Sequence, residues 1–351
     1  MTADVTPTAS ATERHNPTDV PIPGDLVAML ESWRRPVVVG HVRPDADCLG
    51  SMCALALSWP GEGRRVAPIS FPDGSLSQRL SFLIDWVDGP IATAADFTGA
   101  DGFVASDTAK KSRCNVDKTF GDDWSAGRDI INIDHHASNT QFGRINWVDA
   151  RAGSASELVY RLIRAADRPL TPLVASLLYA GIHSDTVGFS LATTTASALH
   201  AAAELVAAGA RVAEIGEHLT RSQSKSEFDL NRVIHDNTRI VADGRIAYST
   251  ATYDEITGAG CTQADIDDQV GIPRCVRGIR LAILFTEGRP KRTRLNLRGE
   301  GGLDVLDLAA KFGGGGHSEA AGAILDANIA ESVERVVPLA IEHIDRNGSQ
   351  S

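Results

Sequence analysis

The first half of the chain switches repeatedly between two apolar patterns. Short unbroken apolar runs, of the kind that fill a buried strand, stand at RRPVVVGH (34–41), GRRVAPIS (63–70), GFVASD (102–107) and DIINID (129–134). Helical patterns lie between and after them: DCLGSMCALALSW (47–59), SLSQRLSFLIDWV (75–87), SASELVYRLIRAA (154–166), PLVASLLYAGIHSD (172–185) and TASALHAAAELVAAG (195–209), the last closed by a glycine. Strands alternating with helices predict an α/β fold with a mostly parallel, helix-covered sheet. Ligands of such sheets bind at the carboxyl ends of the strands.

Three of the apolar runs end in ionisable groups. His41, Asp45 and Asp47 follow the first, Asp107 closes the third, and Asp134 closes the fourth and leads into His135 and His136. His183 and Asp185 stand where the helical pattern over 172–185 gives out. One acid at a strand end is commonly just the N-cap of the next helix. Several converging on one rim leave two readings, a row of solvated acids or a metal cluster. Carboxylate oxygen and imidazole nitrogen suit hard and borderline divalent cations, and uncompensated carboxylates crowded in one cleft repel one another. A metal cluster is therefore the sharper expectation.

Composition narrows the functions open to such a site. With 351 residues, 43% of them hydrophobic, the chain has enough apolar material for two domains. A formal net charge of −11 excludes a protein that coats long nucleic acid through many phosphate contacts, so a nucleotide partner should be small or held locally. The five cysteines (48, 53, 114, 261 and 275) form no CxxC pair and suggest neither a disulfide framework nor a structural zinc site, which fits a reducing cytoplasm. No run approaches the roughly 18–20 apolar residues of a membrane span. Residues 1–24, rich in acids, prolines and threonines, read as a disordered tail and not as a signal peptide.

The pattern changes after residue 210. Residues 211–237 read as a helical connector between a first domain at 25–210 and a second at 238–345. Strand-like segments then appear in RIAYSTATYDEI, RGIRLAILFTEG and RTRLNLRGEG. Arg289, Lys291, Arg292, Arg294 and Arg298 form a local basic patch suited to one short phosphate-bearing ligand, and alternation puts Arg294 and Arg298 on one face with Asn296. Four glycines precede His317 in LDLAAKFGGGGHSEAAGAIL. They are costly to order and read either as a linker or as bare N–H groups beside a helix start that cradle an anion. His317 and the apolar AAGAIL (320–325) following the glycines so closely favour the cradle.

HVRPDADCLGS (41–51), SDT (106–108), DHH (134–136) and HSDT (183–186) resemble, in order and at suitable spacing, the four motifs of the DHH phosphoesterase superfamily. GGGGHSEAAG resembles the signature of the DHH-associated C-terminal domain, so the resemblance covers nearly all of the chain after residue 24. It implies a catalytic N-terminal α/β domain, a smaller α/β substrate-binding domain, and an active site in the cleft between them. It also implies two manganese ions, with magnesium or cobalt as substitutes: His41 and Asp45 on one, Asp47, His135 and Asp185 on the other, and Asp107 bridging. His136 would face the substrate phosphate and Asp134 would support the histidines. Arg294, Asn296, Arg298, Gly314, Gly315, Gly316 and His317 would bind the nucleotide, although Asn296 and Gly299 depart from the serines the family often has. Cys48, where the family more often has a smaller or less reactive residue, is expected to serve packing.

Within the superfamily, type II pyrophosphatases and exopolyphosphatases lack the glycine motif, and RecJ-like exonucleases carry more domains and a more basic channel. A compact acidic chain with both motifs is similar to the oligoribonuclease and 3′-phosphoadenosine 5′-phosphate (pAp) phosphatase group. The expected activity is manganese-dependent hydrolysis of short RNA or pAp by a cytoplasmic enzyme, often a homodimer in that family, with no long duplex and no membrane as partner. The alternatives are a phosphodiesterase of cyclic di-AMP or linear dinucleotides on the same scaffold, a RecJ-like single-strand exonuclease, and a nucleotide-binding regulator without turnover.

Overall fold

The computed structural model describes residues 20–71, 76, 78–89, 91–114, 124–262, 266 and 269–347, the side chain of His317 excepted. It divides into two compact units, Met1–Ser222 and Gln223–Ser351.

In the first unit the chain runs through α1 (Leu26–Ser32), β1 (Pro36–Val39), α2 (Ala46–Ser58), β2 (Ile69–Ser70), α3 (Ser81–Val87), α4 (Ala94–Gly99), β3 (Gly102–Ser106), β4 (Ile130–Asp134), β5 (Ile145–Val148), α5 (Ala155–Ala165), α6 (Pro172–Asp185), α7 (Ala196–Ala207) and α8 (Val212–Thr220). The strands form one all-parallel sheet in the order β2-β1-β3-β4-β5. From β1 the chain moves out to β2 and then returns to the other side of β1 as β3, so the strand order reverses at β1/β3 and opens a crevice at the carboxyl rim. The three central strands are buried on both faces, which is why they read as unbroken apolar runs. Buried along almost its whole length, α2 packs against α6, and a Cβ on Gly50 would run into the Leu177 carbonyl there. Only Ile69 and Ser70 of the second predicted strand pair in the sheet, while α1, α4 and β5 add to the predicted elements.

The tail expected over residues 1–24 lies outside the described residues as far as 19, and its end is not loose. Val20 donates its N–H to Asp149 Oδ2 at 2.8 Å, its carbonyl accepts from Trp147 Nε1 and Arg161, and Ile22 packs on the core.

The second unit contains α9 (Lys225–Asp236), β6 (Arg239–Val241), β7 (Ile246–Ala251), α10 (Tyr253–Gly258), α11 (Gly271–Arg274), β8 (Leu281–Arg289), β9 (Arg292–Gly299), α12 (Leu306–Ala310), β10 (Gly315–His317), β11 (Ala320–Leu325) and α13 (Ile329–Asn347). Its mixed sheet has the order β10-β11-β9-β8-β7-β6, with β7 and β8 parallel and the other pairs antiparallel. Alternation along β9 turns Leu295 and Leu297 into a core shared with Val336, Ala340 and Ile344 of α13. It leaves Arg294, Asn296 and Arg298 on the opposite face, across from Ile324, Gly322 and Ala320 of β11.

The glycine run is not beside a helix start, as the anion-cradle reading required. Gly315 and Gly316 pair with β11 in an edge strand. Close backbone approach accounts for the residue type: a Cβ on Gly314 would collide with the Gly322 carbonyl, and Gly316 has φ +146° with a Cβ position 2.5 Å from the Ala320 carbonyl. Among the described residues no helix is long and apolar enough to cross a membrane.

Candidate metal centre

Three loops leaving the carboxyl rim of the first sheet, together with the end of α6, assemble the site. The β1–α2 loop supplies His41 and Asp45, and Asp45 also caps α2 by accepting the Cys48 N–H on Oδ1 at 2.9 Å. His41 Nδ1 lies 2.9 Å from the Val42 carbonyl, which turns Nε2 towards the acids. That Nε2 is 3.3 Å from Asp107 Oδ2 and 3.9 Å from Asp45 Oδ2. Asp107, just past β3, adopts the left-handed conformation (φ +53°) that Asp tolerates better than most residues. Its other oxygen, Oδ1, is 3.4 Å from His135 Nε2, and the same nitrogen is 3.3 Å from Asp185 Oδ2 and 3.9 Å from Asp47 Oδ2. All six predicted metal-ligating residues thus meet, with the two oxygens of Asp107 facing different imidazoles.

Asp47 is fully buried in the first turn of α2. The N-terminus of α5 positions it: the Ala155 and Ser156 N–H groups donate to its two oxygens at 2.6 and 2.8 Å. Space for this contact depends on Gly181 of α6, where a Cβ would stand 2.7 Å from Asp47 Oδ1. Asp134 binds His136 Nδ1 at 2.8 Å through Oδ1, while its Oδ2 accepts from Asn139 Nδ2 at 2.5 Å. Asn139 also donates to Asn132 Oδ1 and the Thr108 carbonyl, so it ties the β4 loop to the β3 loop. His183 is not part of the cluster; it packs beside the rings of Tyr179 and Phe189.

Sequence reasoning missed Asn132, Asn139 and the α5 amides. The asparagines could have been sought near the DHH triplet, two residues before it and three after it, but the α5 contact joins residues more than a hundred positions apart.

The charges in this cluster perturb one another. Burial by itself would raise Asp107, but the facing imidazoles of His135 and His41 outweigh it and hold the carboxylate well below its ordinary range. Burial opposes charge on His135, yet Asp107 and Asp185 keep its pKa well above the histidine range. Desolvation, then Asp185 and Asp107, lift Asp47 well above the carboxylate range. Asp45 is pushed up to about 7 by desolvation and by Asp107 and Asp185, even though its side chain keeps 54% of its surface. His41 rises to about 12 against its burial; since burial holds the Cys48 thiol at about 11, the charge His41 meets at neutral pH is that of Asp107.

These residues fit divalent cations. Asp107 is 2% exposed, and its Oδ1 is buried without a hydrogen-bond partner. Asp47–His135–Asp185, Asp107–His135–His136 and His41–Cys48–Asp107 each bring their ligand atoms within 4.8 Å of one another. Carboxylates in excess over imidazoles leave negative charge for a cation to neutralise.

Acids and imidazoles gathered on the carboxyl rim of a parallel sheet, at its switch point, define an α/β protein whose centre suits divalent metals. The model of the DHH family, N-terminal domain, matches residues 35–182. Over 326 residues the chain is 31% identical to the bifunctional oligoribonuclease and PAP phosphatase NrnA of Thermus thermophilus, with 92% of this chain and 95% of that protein covered. The corresponding protein of Bacillus subtilis is 29% identical over 85% of this chain and 92% of its own length. An exopolyphosphatase-related protein from Bacteroides fragilis has the same fold, with a TM-score of 0.80, 24% identity, and 91% of this chain and 95% of that one covered. The chain belongs to the DHH family, whose phosphoesterases are metal-dependent.

Proposed function

We propose that the chain is a manganese-dependent phosphoesterase that hydrolyses short oligoribonucleotides and pAp. The observation that carries this reading is Asp107, whose two carboxylate oxygens face His41 on one side and His135 on the other. His41 and Asp45 would hold one cation, Asp47, His135 and Asp185 the second, and Asp107 would be shared. When bound, a pair of divalent cations supplies Lewis-acid polarisation of a phosphate ester and a water acidic enough to attack it near neutral pH.

The protein's own part is placement and proton supply. Asp134 takes His136 Nδ1 and raises the imidazole pKa. The ring therefore carries charge more readily near neutral pH and serves as a charge-assisted donor to the substrate phosphate through Nε2. No covalent nucleophile is needed.

In the second unit the Arg294–Asn296–Arg298 face is the element we assign to the nucleotide. Asn296 is 7% exposed and its Nδ2 is buried without a hydrogen-bond partner, a donor whose desolvation a ligand acceptor would offset. The substrate class itself comes from likeness to the relatives named above, whose names give oligoribonuclease and PAP phosphatase activity.

A panel of substrates with manganese tests the assignment: pAp, di- to pentanucleotides, a long RNA and cyclic di-AMP. Turnover of pAp and the short oligonucleotides well above that of long RNA is expected. Faster turnover of cyclic di-AMP than of any linear substrate would move the assignment to a cyclic dinucleotide phosphodiesterase, and no turnover of any of them would leave a binding protein.

A further inference from the structure

The two halves of the centre do not offer the same donor atoms. Around His135 the ligand-capable neighbours are the carboxylates of Asp47, Asp107 and Asp185 and the imidazole of His136. Around His41 there is also sulfur: Cys48 Sγ, a His41 ring nitrogen and an Asp107 oxygen lie within 4.8 Å of one another, on residues that are 0%, 4% and 2% exposed. His41 is oriented for this cluster by its Nδ1 contact with the Val42 carbonyl. On this side the Asp107 oxygen is Oδ2, 3.3 Å from His41 Nε2, whereas the unpartnered Oδ1 faces His135.

Packing explains only part of the Cys48 position. Its Sγ lies 3.6 Å from Met52 Sδ, and a Cβ on Gly40 would come within 2.6 Å of it. That contact accounts for a small side chain over β1. It does not account for a sulfur at the start of α2 beside the nitrogen and oxygen donors of the rim.

We propose that Cys48 is a thiolate ligand to the cation held by His41 and Asp107, so that this half of the centre is thiophilic and selects a cation of the zinc class, while the sulfur-free half around His135 takes a hard cation such as manganese. The thiol proton leaves to solvent as the sulfur–metal bond forms. The inference rests on the reading of the rim as a two-cation centre, and its test separates the two.

The test titrates the full-length metal-free protein with cobalt(II), measuring bound cobalt by metal analysis, the visible ligand-field bands, and the near-ultraviolet sulfur-to-cobalt charge-transfer band. The wild type should show a charge-transfer band that saturates at one cobalt per chain. Cys48→Ser should lose that band while keeping ligand-field absorption from the His135 half, and it should lose zinc to a chelator at least about tenfold more readily. Cys53→Ser, on the same helix but outside every ligand cluster among the described residues, should keep the band. Zinc X-ray absorption on the wild type, which needs no variant to fold, should show one sulfur scatterer. Bound cobalt without the charge-transfer band, the same band in Cys48→Ser, or zinc without a sulfur neighbour each overturns the role of Cys48 and leaves the two-cation reading standing. If no cobalt binds, both fall.

Discussion

The rim of the first sheet and the β9 face of the second handle polar groups in opposite ways. At the rim, Asp47, Asp107 and His41 are buried, and each is held by a specific neighbour: the α5 amides, the two imidazoles, the Val42 carbonyl. On β9, Arg294 and Arg298 are only half-buried and Asn296 alone is deeply placed. Chemistry on a phosphate needs preorganised charge in a dry setting, since that is where fixed groups act most strongly. Recognition of a flexible, charged ligand tolerates long side chains that keep their heads in water. A single substitution should therefore be ruinous in the first region and graded in the second.

The comparison is broken most directly at Asp107. Asp107→Ala removes the carboxylate facing both imidazoles and should lower kcat by roughly a thousandfold or more, with bound manganese reduced in metal analysis and the fold retained by circular dichroism. A variant that keeps a tenth of wild-type turnover at saturating manganese would show that the rim is as graded as the β9 face.

A smaller loss is expected from a residue that touches no ligand. Asn139→Ala releases Asp134 Oδ2 and with it the fixed orientation of His136. We expect a loss of up to about a hundredfold in kcat, in line with the cost of removing outer support at metal sites. His136, followed by NMR, should titrate at lower pH, because Asp134 is the main cause of its raised pKa. A purely structural asparagine would reduce stability without moving that titration.

Legibility in the sequence follows the same divide. β1, β3 and β4 were readable because strands buried on both faces are unbroken apolar runs, and the acids at their ends are few enough to assign. β5 was not: INWV is four residues long with alternating burial, too brief for a period to register. The alternation that put Arg294, Asn296 and Arg298 on one face holds in the fold, because β9 has one face against α13 and one away from it. For GGGGH only the place beside a helix start failed: glycines carry no side-chain pattern, and what fixes them is pairing with β11, a tertiary fact. For Cys48 the sequence favours packing over chemistry, and the contacts with Met52 and over Gly40 agree with packing; sequence spacing does not say that its sulfur also stands near His41 and Asp107.

On the β9 side, Asn296→Ala should reduce kcat/KM for a trinucleotide by about tenfold, the worth of roughly one net hydrogen bond. Bis-p-nitrophenyl phosphate, which offers no nucleotide to read, should be hydrolysed at an unchanged rate. Equal losses on both substrates would mean that Asn296 supports the fold of the sheet, and the contrast between a reacting region and a reading region would lose its second member.

The smallest effect, a few degrees in Tm, sharpens the contrast by pH. In metal-free protein Asp45 has a folded pKa raised from the ordinary carboxylate value to about 7, so the folded state binds its proton more tightly than the unfolded chain does. That contribution is complete below pH about 4 and is lost as pH rises through about 7. The raised His41 and His135 act in the same direction from pH about 6.5 upwards. Asp107, whose pKa is lowered, contributes stability that is already complete above pH about 4 and does not change between pH 5 and 8. The Tm of the metal-free protein should therefore fall from pH 5 to pH 8. Manganese should flatten the fall, because a bound cation takes the place of the lost protons. Asp45→Asn should flatten it partly without any metal, the side chain being half exposed and the repulsion it feels screened by water. Calorimetry in the presence and absence of a chelator decides the matter: a metal-free Tm that rises across this range would show that the crowded acids of the rim are not what strains the empty centre.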